Sequence, residues 1–422
     1  MLGDGAFEVE AAFAGVHASG NLKAVARNLG PWVRPLERAG PITVAIAFDA
    51  AHREKSLRVE RLTATVEGSQ PIAALQSLQP FAVDEKTGAL AMSDPRGDWI
   101  ECALKGLPIG LLAGWSAHLS GTGNAARSDF ILRSAEGRVS VQSKTPLTAT
   151  NISLGNDGQP LAEKIDLSAM LQAASTDRGW EIHCVPLIIS SAGRQSARLE
   201  GSATTPSGSD QGITLAGTWE TDLAALTLQP GLSEISWLKG RSAAGDFSTH
   251  FGTWFDLKGK LTAMGLEPNH AVTASVNVDI DGAGRLSFVA PLKIFFGSNV
   301  SDFSLEGKRT GQGAGAELYV DLTGENVTLD HLGLLAAPFA ASQNLGPGPD
   351  RVPFWSEATG RVTLAFRKFH AWDQDYQDVG GTFSLDRGSL RLEGGHATLP
   401  PHSATKLAGE ILLNPAVRGL MP

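Results

Sequence analysis

Apolar and polar residues alternate one by one along most of the chain. Ile42, Val44, Ile46 and Phe48 fall on one side of a run whose other side is Thr43, Ala45, Ala47 and Asp49. Val272, Ala274, Val276, Val278 and Ile280 alternate in the same way with Thr273, Ser275, Asn277, Asp279 and Asp281, and so do the sets Leu318, Val320, Leu322 and Val362, Leu364, Phe366. Successive side chains of a strand point to opposite faces, so a period of two predicts strands with one apolar and one wetted face. Turn sequences punctuate the runs: Asn156-Asp157-Gly158, Asp281-Gly282-Ala283-Gly284 and Asp386-Arg387-Gly388. The last joins Thr382–Leu385 to Ser389–Leu392 and predicts a hairpin. Strands this closely spaced, without amphipathic helices between them, predict an antiparallel meander rather than a parallel βαβ sheet. The expected fold is all-β: a long, curved, twisted antiparallel sheet forming an elongated groove, with a few short capping helices.

A weaker repeat accompanies the strands. Five apolar stretches have helix-like spacing and end near Pro, Gly or an aromatic residue: 21–32, 71–81 (PIAALQSLQPF), 107–115 (LPIGLLAGW), 222–232 (DLAALTLQPGL) and 328–339 (TLDHLGLLAAPF). Strands with one short helix recurring at irregular intervals suggest stacked similar units. The chain therefore reads as one continuous repeating module over 1–422, with a soft boundary near 232–240. A linker is expected at 343–355, where Leu345-Gly346-Pro347-Gly348-Pro349-Asp350 cannot join a sheet ladder.

Composition sharpens this picture. Charged residues make up 19% of the 422, below the roughly 25% of an average domain. The 48 glycines suit strands joined by tight turns more than a helical bundle. The net charge of −9 is interspersed, and no basic cluster with interleaved aromatics exists, so nucleic acid is not an expected partner. Cys102 and Cys184 are the only cysteines, too few for a disulfide framework or a metal cluster; two buried thiols or a single bridge remain open. No stretch approaches the 18 or so apolar residues of a membrane span. The start lacks a basic n-region and an apolar h-region, and the end breaks off in apparent sheet, which suggests a piece of a larger envelope protein.

Candidate chemistry is sparse. A Gly-x-Ser-x-Gly elbow is absent. Gly311-Gln312-Gly313-Ala314-Gly315 lacks the Lys-Ser/Thr of a phosphate loop and reads as a hairpin loop. Asp279-Ile280-Asp281-Gly282 lacks the glutamate that a calcium loop needs and reads as a strand end with a turn. His370, Asp373, Asp375 and Asp378 form the densest polar cluster, expected to be a solvated loop rather than a cation site. No cofactor, metal or catalytic residue is expected, and the chain reads as non-enzymatic.

A one-sided sheet must hide its apolar face. It can pack on itself as a filled sandwich or solenoid, which periodicity alone favours slightly, or it can hold something apolar. An acyl chain of ~16 carbons would gain on the order of a dozen kcal/mol by leaving water. The lining would come from Val44, Ile46, Phe48, Phe247, Phe251, Val276, Val278, Phe288, Val320, Leu322, Leu364 and Phe366.

The segment 223–261, with DLAALTLQPGL, Gly240, Asp246–Phe251 and the strand from Trp254 to Leu261, resembles a unit of the AsmA-like family. So does the tail from Gly360, with GRVTLAFRKF and DVGGTFSLDRGSLRLEGGHATL; Ile100–Trp115 has the same character. These motifs are alternation patterns rather than fixed chemical residues, and they touch most of the chain loosely. The resemblance implies a bridge-like lipid carrier of the diderm cell envelope, facing the periplasm and anchored in the inner membrane by an N-terminal helix that this sequence lacks. It implies phospholipid acyl chains as cargo, a contribution to outer-membrane lipid homeostasis, and inner- and outer-membrane proteins as partners at the ends of the sheet. The competing reading is a structural or adhesive protein with a filled β core; an enzyme such as a glycan hydrolase ranks third.

Overall fold

The alternating runs are strands. The computed structural model describes residues 2–9, 15–27, 41–53, 55–109, 119–135, 137–156, 159–177, 179–206, 212–230, 242–252, 254–264, 270–310, 317–332, 359–386, 389–399 and 403–412. The chain divides into two compact units, one of residues 1–208 with 229–231 and one of 209–228 with 232–422. Both are built almost wholly of antiparallel strands, as the alternation predicts.

The first unit contains β1 (Leu2–Val9), β2 (Gly15–Ala26), β3 (Ile42–Arg53), β4 (Ser56–Glu67), β5 (Pro71–Ser77), β6 (Phe81–Asp84), β7 (Leu90–Met92), β8 (Ile100–Leu107), β9 (Leu119–Thr122), β10 (Ala126–Ala135), β11 (Arg138–Ser143), β12 (Leu147–Asn156), β13 (Gln159–Thr176), β14 (Gly179–Ser191) and β15 (Arg194–Pro206). Strands β1 to β4 pair in sequence order. The sheet then forks, because β4 is longer than either neighbour: its residues 63–67 pair with β5 and its residues 56–59 with β6. Strand β5 continues through β8 to β10. The 18-residue β13 holds β12 along most of its length and β11 near its end, then passes to β14 and β15. Short strands laid end to end beside long ones let the ladder continue across irregular turns without leaving backbone groups unpaired.

The second unit is simpler. It contains β16 (Ile213–Thr221), α1 (Leu223–Leu226), β17 (Ser242–Phe251), β18 (Phe255–Met264), β19 (His270–Ile280), β20 (Leu286–Phe296), β21 (Asn299–Thr310), β22 (Glu317–Thr328), β23 (Thr359–Ala371), β24 (Gln374–Asp386), β25 (Ser389–Leu399) and β26 (Ser403–Leu412). Every strand pairs with the next in sequence. One pair departs from the predicted meander, since β22 and β23 are parallel. Parallel neighbours need a crossover of a dozen or more residues, and 329–358 supplies one. The expected linker at 343–355, the soft boundary at 232–240 and the glycine loop at 311–315 lie outside the described residues.

The helix-like stretches divide. Residues 223–226 form α1, capped by Asp222, whose carboxylate accepts the Ala225 amide at 3.1 Å. Residues 329–332 and Ile109 are also helical. Residues 71–77 are instead β5 and 21–26 belong to β2. The reason is tertiary: Leu75 lies opposite Ala64 and Cys102, and Leu22 opposite Ile46, so two flanking strands claim segments whose own spacing was ambiguous.

Each helical piece seals the same kind of place. Leu223 is buried in one cluster with Ala243 and Ala263, and Ala225 is buried as well. Leu332 packs on Ile294, Phe303, Val327 and Phe366. In the first unit Ile109 packs with Ala126, Ala149 and Ile152. In the second unit the buried clusters therefore sit where a helical turn packs on the sheet.

Candidate functional site: an apolar sheet face

Residues opposite one another in a ladder share a face, so the registers of β16 to β24 place the alternating apolar residues in rows that cross the second unit. One row is Ala243, Ala263, Val272, Ile294 and Ser301. The next is Leu261, Ala274, Leu292, Phe303, Gly324, Phe366 and Val379. Beyond it come Phe247 and Gly259, Val276, then Leu305, Leu322, Leu364 and Gly381. The following row is Thr249, Leu257, Val278, Phe288, Gly307, Val320, Val362 and Phe383. The outermost row is Ile213, Phe251, Phe255, Ile280, Leu286, Arg309 and Leu318.

Burial is greatest under the helical turns and uneven farther out. Under the helical turns, Ala243, Ala263 and Ile294 are buried, Ile294 to 1% exposure. Phe303 and Phe366 are buried in the next row while Leu261, Ala274 and Leu292 are half-buried. The two middle rows are half-buried apart from Thr249, whose hydroxyl donates to the Asp256 carbonyl at 2.7 Å. In the outer row Ile213 and Phe251 are exposed, at 44% and 48%, Phe255, Ile280, Leu286 and Leu318 are half-buried, and Leu385, next in register after Gly360, is buried. A sheet packed against a second sheet would bury all rows alike. Here the face is closed under the helical turns and most open in the outer row, at Ile213, Phe251 and Arg309.

All nine lining candidates from this part of the chain, namely Phe247, Phe251, Val276, Val278, Phe288, Val320, Leu322, Leu364 and Phe366, lie on this face. They do not share one environment. Phe366 belongs to the closed cluster, Phe251 to the exposed rim, and the others to the half-buried middle. The Phe288 ring occupies the space over Gly307, where a Cβ would collide with it. The remaining three candidates share a face of the first unit. Val44 stands between Ala24 and Val66, Ile46 between Leu22 and Ala64, and Phe48 between Gly20 and Leu62, all three half-buried.

Both cysteines sit on the apolar face of the first unit. Cys102 lies between Leu75 and Phe130, and Cys184 between Leu171 and Gly201. Both are free thiols, which removes the single-bridge alternative. Burial raises both thiol pKa values, with a smaller contribution at Cys102 from Asp129, so neither is poised as a nucleophile.

The opposite face is wet and carries the ion pairs, among them Lys293–Asp302 at 3.1 Å and Lys258–Asp256 at 3.6 Å. Exposed pairs of this kind contribute about 0–1 kcal/mol each. A cavity of about 530 Å³ lies mainly on that face, among Asp302, Ser304, Thr323, Glu325 and Arg367. Its Arg367 is already paired with Glu325, and Phe303, Ala365, Phe366 and Val379 also line it.

The other sequence candidates resolve into structure. Asp281 Oδ1 accepts the amides of Ala283 and Arg285, both at 2.9 Å. The Arg285 amide and guanidinium hold the Asp281 carboxyl below its usual range, so the calcium-like sequence is a closed turn. His370 and Asp375 are strand residues, not part of a loop as expected. They face each other at 2.9 Å across the Trp372–Asp373 turn, both exposed. Among the described residues no group of three or more His, Cys, Asp or Glu could hold a metal.

Ser301 and His331 make a contact that spacing alone could not reveal: Ser301 Oγ lies 2.7 Å from His331 Nδ1 and accepts the Thr328 amide at 3.0 Å. Ser301 is 0% exposed. No substrate reaches it, and the pair ties the 329–332 helical turn to the sheet. Among the described residues no helix is long and apolar enough to cross a membrane.

No protein-family model, no curated protein and no solved structure matches this chain.

Proposed function

We propose that the chain is a non-enzymatic cell-envelope protein that holds or conducts phospholipid acyl chains along its apolar sheet face. The observation that carries the reading is the incomplete cover of this face. Rows of contiguous aliphatic and aromatic side chains run from a helix-sealed end, where Ile294 and Phe366 are buried, to an open end where Ile213 and Phe251 are exposed. Contiguous exposed apolar patches on soluble proteins mark binding sites. At about 0.8 kcal/mol per buried CH₂, an acyl chain laid on such a patch gains more than any single polar contact would supply.

The alternation, with helical turns at 223–226 and 329–332, supports kinship with AsmA-like proteins. On that reading the chain works in the periplasm as part of a protein held in the inner membrane. It contributes to outer-membrane lipid homeostasis, with membrane proteins as its partners at the ends of the sheet. A structural or adhesive protein with a filled core would need the middle rows sealed, and they are half-buried.

Donor vesicles carrying a self-quenched fluorescent phospholipid provide the test. Excess protein is expected to relieve the quenching by extracting the label, with saturation at a small integer of lipids per chain. Unchanged quenching at saturating protein would remove the proposal.

A further inference from the structure

Arg309 breaks the chemistry of the face it stands on. Across β16 to β24, the four rows from the Phe303–Phe366 row outward to the rim hold one charged side chain among the described residues, and it is Arg309. It lies directly between Leu286 and Leu318 in the outermost row. It is exposed and has no ion-pair partner among the described residues. Its neighbours in sequence do not share its position: Lys308 points to the opposite face, over the Tyr319 ring. Of the other cations near this end of the strands, Arg285 is bound to Asp281 and Arg361, opposite Tyr319 in the ladder, belongs to the far face.

The distance along β21 is informative. From Arg309 to Phe303 is six residues, or about 20 Å of strand. One leaflet's hydrocarbon is ~15 Å deep. An acyl chain lying along the strand direction thus fits between the guanidinium at the open rim and the helix-sealed cluster at the far end. Its tail would approach Phe303 and its polar end would emerge beside Arg309.

We infer that Arg309 binds the phosphate of a phosphate-bearing lipid at the open rim and so fixes the cargo's direction, headgroup at Arg309 and tails toward Phe303. This rests on the reading of the face as an acyl-chain holder. Guanidinium suits the task because its planar fork donates two parallel hydrogen bonds to phosphate oxygens and it is not deprotonated in proteins. An uncharged residue between Leu286 and Leu318 would suffice for apolar binding alone.

The test compares two ligands with identical labelled chains, phosphatidic acid and diacylglycerol, each delivered from a cyclodextrin carrier to the full chain. The unsubstituted protein is expected to bind phosphatidic acid about tenfold more tightly, the scale of one charge-assisted contact. Arg309→Gln should bring the two affinities within about twofold of each other by weakening phosphatidic acid alone, and Arg309→Lys should restore part of the gap. A preference that survives Arg309→Gln overturns the inference. Equal binding of both ligands by the unsubstituted protein also overturns it, while leaving the acyl-chain reading intact. Binding of neither ligand removes both.

Discussion

Replacing Val320 by glutamate is expected to abolish phospholipid extraction while the protein stays folded. Val320 stands in a middle row between Gly307 and Val362 and is half-buried. In the lipid-free protein its carboxylate can therefore reach water, and the cost to the fold should stay near 1 kcal/mol, as for substitutions outside a sealed core. A bound acyl chain would bury that charge without a partner, at a cost of several kcal/mol, enough to suppress binding by a hundredfold or more. Circular dichroism with thermal unfolding reads the first effect and vesicle extraction the second. A closed sandwich predicts a different pair of results, since an unpaired charge in a sealed core would unfold the sheet. Extraction that continues at the unsubstituted level would equally count against the account.

Phe366→Ala should be the most damaging simple truncation in the second unit. Phe366 is 4% exposed and packs in one cluster with Ile294, Phe303 and Val327, under Leu332 of the helical turn. Its ring also stacks on Phe369 at 5.8 Å between centroids. Removing a buried phenyl group typically costs 3–5 kcal/mol through lost transfer energy and the cavity left behind. The informative control is Phe288→Ala, two rows nearer the open rim, where the ring is half-buried over Gly307. About half the penalty or less is expected there. Urea unfolding monitored on the full chain would read both, and equal penalties would mean that the difference in burial has no energetic counterpart.

The fold was legible in the sequence wherever alternation was long. The sets around Ile42–Phe48, Val272–Ile280 and Leu318–Leu322 became strands with their apolar members on one face, because a shift of one residue would turn every one of them to water. Short apolar runs were not legible. Residues 71–77 carried apolar side chains at a spacing compatible with a helical turn, and only pairing with β4 and β8 decided for a strand. The parallel pairing of β22 with β23 was hidden for a related reason, since alternation fixes a strand's faces and not its neighbour's direction.

The candidate site was legible in part. Its residue set could be read from alternation, but its division into a sealed end and an open end could not. That division depends on where α1 and the 329–332 turn dock, through contacts such as Ser301–His331 that span 30 residues. Arg309 drew no notice in sequence because a charge near a strand end is ordinary. Its meaning comes from the uncharged rows beside it.

A photoreactive benzoylphenylalanine placed at one residue and then at its neighbour tests the central claim most directly. Position 288 lies on the apolar face and position 289 on the opposite one, where Val289 is 40% exposed. Protein carrying the probe at 288, irradiated with phospholipid vesicles, is expected to yield a covalent acyl-lipid adduct by mass spectrometry, while the probe at 289 yields none. Adducts in equal amount at both positions, or at 289 alone, would contradict the assignment of this face as the one that holds lipid.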